Sequence, residues 1–277
     1  MTKDESSFAD SLDDDDRPRT IDDMHQLMKF QHDPSSISLG LLTSSDSEYE
    51  LYKHSAYNHN YSRVTIFRHP GYLPSDEIER EHRHDEEAQT ARRSEMAKLR
   101  NFLMLQTLRG EEHIIWMDAD IYRIDAGLVT RMLRHAQDRE DVGILTARTE
   151  LGNITGSNYD LNCWAGTRKG PRDWDLDPKE IENRELALQG QLMLTDLQKR
   201  TGENDLVFLD AIGATLLYMK SELVWLGLSF PHQYMVGTRW GKDGWDGIES
   251  EGLRYRTRGM IGGRCAALGG DWKIGHA

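Results

Sequence analysis

Two carboxylates two residues apart, Asp118 and Asp120, close the apolar run Ile114 to Met117 in the stretch HIIWMDADIYRID. Side chains i and i+2 of an extended segment point the same way, so the pair could converge on one cation, directly or through water. Hard oxygen ligands select Mg²⁺ or Mn²⁺, and such an ion can in turn hold a diphosphate. An Asp pair can equally be a solvated strand end, so the run ahead of it matters. Four apolar residues in a row predict a fully buried strand, and ligands of open α/β sheets collect beyond the carboxyl ends of strands.

Other residues carry chemistry of the same kind. Arg92, Arg93, Lys98 and Arg100 form a basic face on a charged helix that is either solvated or reaches a nucleotide phosphate. Asp210 precedes Ala211, Ile212, Gly213 and Ala214, small residues that allow a ligand to approach the backbone. Glu249 and Glu251 open a helix, where acids are favoured by the dipole alone. The span 151–177 is aperiodic and contains Tyr159, Trp164 and Trp174, which suits a lid or sugar-stacking surface as well as plain surface packing.

These residues need a frame. At 277 residues the chain is long enough for one large α/β domain over 20–277. Residues 1–19, with the acidic run Asp13 to Asp16, are expected to be a disordered tail. A helix is predicted from Ile21 to before Pro34, strands over Ser38 to Thr43 and Val64 to Phe67, and a polar loop or irregular helix between them. A charged helix should run from Asp76 to about Leu108, followed by the Asp-tipped strand, a helix over Leu128 to Ala136 and a strand over Val142 to Ala147. Pro178 to Arg200 reads as a long helix, and Leu216 to Met219 and Cys265 to Leu268 read as strands. Phe230-Pro231 and glycines 237, 241, 244 and 247 mark a second loop, mobile or ligand-lining.

The net charge of −13 argues against binding a nucleic-acid backbone. A phosphorylated ligand would more naturally be handled through a metal. Cys163 and Cys265 match no metal spacing and are either one disulfide or two buried thiols. No run approaches a membrane span, and no apolar signal core opens the chain.

Four blocks in fixed order, ARRSEMAKLRN (91–101), IIWMDADI (114–121), LDAIGATLLYMKSEL (209–223) and IESEG (248–252), together with the apolar ending at His276, resemble the fungal Golgi α-mannosyltransferases of glycosyltransferase family 62, subunits of the mannan polymerase complexes. The resemblance covers about Ile21 to His276. It implies a GT-A fold, a Rossmann-like sugar-nucleotide domain with a mostly parallel sheet and flanking helices. It further implies a retaining transfer of mannose from GDP-mannose to a mannan or N-glycan acceptor, with Mn²⁺ or another divalent cation as cofactor, in the Golgi and alongside related subunits.

By position, the resemblance makes Asp118 and Asp120 the metal motif and His276 a third ligand. Asp210 would hold donor-sugar hydroxyls, Glu249 and Glu251 would face donor sugar or acceptor, and Arg93, Arg100 and Asn101 would lie near the nucleotide. A front-face attack with a leaving-phosphate oxygen as base would fit retention of configuration.

The sequence departs from this pattern in several places. Relatives begin with another β-strand that contributes to the nucleotide pocket, and here the acidic tail stands in its place. They also carry a membrane anchor and stem, and continue beyond the late histidine, whereas this sequence stops one residue after His276. Weakened GDP binding is therefore expected even with the metal motif intact, and a non-catalytic or truncated subunit is the alternative reading. A haloacid-dehalogenase-like phosphohydrolase also places Asp-x-Asp after an apolar strand, but it usually wants Thr or Val where this chain has Tyr122.

Overall fold

Strands and helices alternate through most of the structure, a computed structural model that describes residues 20–69, 86–152, 156, 158–168, 190–236 and 246–276. Expectations for residues 1–19, for the helix before residue 86, for 153–155, for Trp174, for 178–189 and for glycines 237, 241 and 244 lie outside the described residues.

Helix α1 (Ile21–Gln31) starts where Asp23 accepts a hydrogen bond from the Thr20 amide at 2.7 Å, and it buries Ile21, Met24 and His25. Strand β1 (Ser38–Thr43) occupies the expected residues. The polar stretch after it is a regular helix, α2 (Asp46–Tyr57), because Ser45 caps it by accepting from the Glu48 amide. Strand β2 (Arg63–Arg68) returns parallel to β1. Helix α3 (Glu86–Thr107) then leads to β3 (His113–Met117) and the Asp pair.

The main sheet has five strands in the order β3, β10 (Leu216–Lys220), β5 (Val142–Thr146), β11 (Arg264–Leu268) and β9 (Leu206–Leu209). A second sheet sets β12 (Lys273–His276) between β4 (Ile121–Ile124) and β6 (Arg148–Leu151). The α/β class holds, with one correction to a mostly parallel sheet. β10 runs antiparallel to both β3 and β5, β9 is antiparallel to β11, and β4 to β12, while β5 with β11 and β6 with β12 are parallel. The chain reaches β10 last among the strands beside it and inserts it between β3 and β5 in the opposite sense.

Two further expectations are corrected. The predicted long helix does not extend through 190–200, where a turn at Gly190 is followed by β8 (Gln191–Met193), paired with β7 (Trp164–Gly166), and by the five-residue helix Leu194–Gln198. β3 is also not fully buried. It pairs only with β10 among the described strands, and Ile115 is 38% exposed. A cavity of about 230 Å³ lies between β1 and β3, lined by consecutive residues of both strands with Met24 on one side and Leu99 and Leu103 on the other.

The core lies on both faces of the main sheet. On one face Leu217, Met219 and Ile144 pack with Ala97 and Met104 of α3, and on the other Leu216, Tyr218 and Leu145 pack with Leu128 and Met132 of α4 (Leu128–Asp138). Cys163 and Cys265 are buried free thiols in the first of these layers. Burying a leucine in a central strand and an isoleucine at an open edge should differ in energy. Leu217→Ala is expected to cost about 3 kcal/mol in chemical denaturation and Ile115→Ala less than about 1 kcal/mol.

Candidate functional site

The end of β3 is fixed by its neighbour. The Asp118 amide donates to the Thr215 carbonyl at 2.9 Å, which ties the first aspartate to the entry of β10. Thr215 in turn donates its hydroxyl to Asp160 at 3.1 Å, and Asp160 also accepts from the Asn162 amide at 3.2 Å. Gly213 has to be glycine here, since a Cβ would come within 1.7 Å of Asp160 Oδ2. Three separate stretches of sequence thus meet at the strand tip.

Arg100 crosses into this meeting point from α3. Its guanidinium, buried to 9% exposure, donates to Asp118 Oδ1 at 3.0 Å and to Glu249 Oε1, and it lies 5.6 Å from the Phe230 ring. Burial alone would lower its pKa, but the fields of Glu249, Asp118 and Asp160 outweigh that and keep it charged. Asp118 shows the reverse balance. Burial raises it to about 6, opposed by Arg100 and reinforced by Asp120.

Asp120 faces the other way. Its Oδ2 lies 3.0 Å from His276 Nε2 on β12, and His276 is buried and stacked on Tyr159 with ring centres 4.0 Å apart. Burial raises the Asp120 pKa, but the hydrogen bond and charge of His276 more than offset it, so the group sits below the ordinary carboxylate range. Its second oxygen, Oδ1, is buried with no hydrogen-bond partner. An orphaned carboxylate oxygen is costly unless something else approaches it.

Glu249 has a left-handed backbone, φ 58°, which is strained for a residue with a side chain. It is held there by its amide donating to Pro231 O at 2.7 Å and by its carboxylate on Arg100 and Ser250. Glu251 is fully buried between Arg93 Nη2 at 3.2 Å and Arg168 Nη2 at 3.0 Å, so its carboxylate belongs to an ion-pair core. Arg93 also donates to Ile248 O at 3.1 Å.

Asn101 uses both ends of its amide on the Phe230 backbone at 2.8 Å and positions the ring beside Arg100. Asp210 stands apart from this cluster, accepting from the Gly166 amide at 2.8 Å. Of the residues singled out in the sequence, Arg100, Asp118 and Glu249 are joined, as are Asp120 with His276 and Arg93 with Glu251.

Asp118, Asp120 and His276 do not close into a compact trio. Among the described residues, the group of three metal-ligating side chains whose ligand atoms lie within 4.8 Å of one another is Asp22, His25 and His59, elsewhere in the fold. Asp160 is the residue that sequence reasoning misses, whereas Tyr159, expected as a sugar-stacking or surface aromatic, stacks on His276. Both lie in the aperiodic stretch after β6, where no periodicity marks Asp160.

Similarity to known proteins bears on the same residues. The Anp1 family model matches residues 11–233. The chain belongs to the Anp1 family. It is 28% identical over 176 residues to the mannan polymerase complex subunit mnn9 of Schizosaccharomyces pombe, an alignment covering 62% of this chain and 51% of that protein. The chain thus spans about half the length of the curated relative it matches. In this Anp1-family chain the matched span includes Arg100, Asp118, Asp120, Asp160 and Asp210, while Glu249, Glu251 and His276 lie beyond it.

Removing Arg100 would leave Asp118, Glu249 and Asp160 facing one another without their shared cation. Arg100→Ala is therefore expected to cost about 3–5 kcal/mol at neutral pH. Burial raises the folded-state pKa of Asp118 and of Asp160 above the unfolded values, so these two acids take up protons more readily in the folded state and the loss should shrink as pH falls toward 4. Denaturation curves at pH 7 and pH 4.5 check both the size and the direction.

Proposed function

We propose that this chain is a metal-dependent retaining α-mannosyltransferase that transfers mannose from GDP-mannose to a mannan or N-glycan acceptor, acting in the Golgi with related subunits in a mannan polymerase type of complex. The observation that carries the reading is the Asp pair at the β3 tip, with Asp120 Oδ1 buried and unpartnered beside His276. Family membership and similarity to a mannan polymerase complex subunit support the same class of chemistry. Among the described residues no helix is long and apolar enough to cross a membrane.

The donor chemistry suits a divalent cation: the carboxylates of Asp118 and Asp120 and the His276 imidazole would hold it once drawn closer together than they stand here. A bound Mn²⁺ supplies positive charge against the diphosphate leaving group. The chain's own residues do the positioning. Arg100 fixes the Asp118 carboxylate and keeps it ionised against the cost of burial. Tyr159 orients the His276 ring, which holds Asp120 ionised.

Glu249 and Asp210 provide negative field suited to an oxocarbenium-like sugar, Glu249 from a strained backbone and Asp210 from a site braced by the Gly166 amide. Arg93 and Arg168 both pair with Glu251, and in this reading the ion pairs stiffen the floor beneath Glu249.

A non-catalytic subunit is the second reading, favoured by the cavity between β1 and β3, since open space bordering Arg100 and Asp118 would hold a nucleotide less firmly at the proposed site. Calorimetric titration with GDP separates the two. Binding that requires Mn²⁺ and is lost in Asp118→Ala/Asp120→Ala is expected for a transferase, and no binding by folded wild type would support the subunit role.

Because Asp118 titrates at about 6, its ligating form is depleted below that pH. Mn²⁺-dependent GDP affinity should then fall by about tenfold per pH unit below 6. A flat profile between pH 7 and pH 5 would remove Asp118 from the metal site.

A further inference from the structure

A second constellation lies at the N-terminal end of α1. Asp22 and His25 are three residues apart and therefore share one face of the helix. His59, in the turn after α2, completes a group whose ligand atoms all lie within 4.8 Å of one another. His59 Nε2 is 3.5 Å from Asp22 Oδ1, and the two imidazole rings are centred 4.1 Å apart.

The surroundings are those of a built site. His25 is fully buried, and its Nδ1 lies 2.7 Å from the Tyr61 hydroxyl. Its Nε2, on the far side of the ring, is buried without a hydrogen-bond partner, and so is His59 Nδ1. Ser55 donates to Asp22 Oδ1 and holds that carboxylate toward the histidines. A metal-ligating histidine characteristically uses its other nitrogen on an outer partner, and a ligating carboxylate is itself hydrogen-bonded. Tyr61 and Ser55 stand in those two outer positions.

We infer that Asp22, His25 and His59 form a binding site for a single Zn²⁺-type transition-metal ion, independent of the Asp118–Asp120 pair. Two imidazoles and one carboxylate suit Zn²⁺, with the fourth position left to water. Ligand atoms in a tetrahedral Zn²⁺ site stand about 3.3 Å apart, given bonds of about 2.0 Å. Asp22, the exposed member, can close the remaining distance by rotating its side chain. The ion would clamp the first turn of α1 to the segment between α2 and β2. Met24, on the same helix, packs in a cluster with Tyr52 that reaches Met117 and Ala119 at the Asp-tipped strand end.

The probe is Co²⁺, whose visible d–d absorption reports low-coordinate nitrogen and oxygen ligands, titrated into chelator-stripped full-length chain. One equivalent should give a band that Zn²⁺ abolishes, and Zn²⁺ should raise the melting temperature. The band should disappear in His59→Gln and persist in Asp118→Ala/Asp120→Ala. Asp22→Asn, at an exposed position that leaves folding intact, should weaken Co²⁺ binding by about tenfold or more. Circular dichroism confirms that each variant is folded. No band in wild type, or a band kept by His59→Gln and Asp22→Asn but lost in the Asp118/Asp120 variant, would overturn the site.

Discussion

The geometry around the Asp pair depends on one buried guanidinium. Arg100 bonds Asp118 at the end of β3 and Glu249 in the turn that precedes the last short helix, and it feels the charge of Asp160. Removing an arginine from water is costly, and only close, well-placed carboxylates repay it. This interaction therefore dictates that three distant stretches of chain converge. It also explains why Glu249 tolerates a left-handed backbone, since its carboxylate reaches Arg100 from that conformation.

The two aspartates consequently live in different electrostatic settings. Asp118 is buried against a cation and a second acid and titrates near 6, whereas Asp120 is held ionised by His276. Divergent environments for paired acids are how a site separates roles. Here Asp118 is the member sensitive to pH, and Asp120 is the one with an oxygen left over for a ligand.

Much of this was legible in the sequence. Apolar runs marked β1, β10 and β5 to within a residue or two, and the Asp pair lies where a strand-tip reading puts it. β4, β6 and β12 escaped because they alternate charged with apolar residues in short segments. In β6 the buried Arg148 and Glu150 pair with each other at 3.2 Å, Arg148 also meeting the exposed Asp271 at 2.6 Å and Glu150 the partly exposed Arg123 at 3.2 Å. Periodicity cannot register burial achieved by pairing. Asp160 escaped for a related reason, since its place depends on Gly213 and Thr215, more than fifty residues later in the chain. Ile115 reads as core, but among the described strands its own has one neighbour where the residue type anticipates two.

The central claim is that the β3 tip is where a divalent cation and a nucleoside diphosphate meet. Paramagnetic broadening of amide signals by Mn²⁺, recorded with and without GDP, tests it most directly. GDP-enhanced broadening is expected at Asp118 to Ile121, Tyr159 and Gly275 to His276. Broadening confined to Asp22, His25 and the segment around His59, unchanged by GDP, would contradict it.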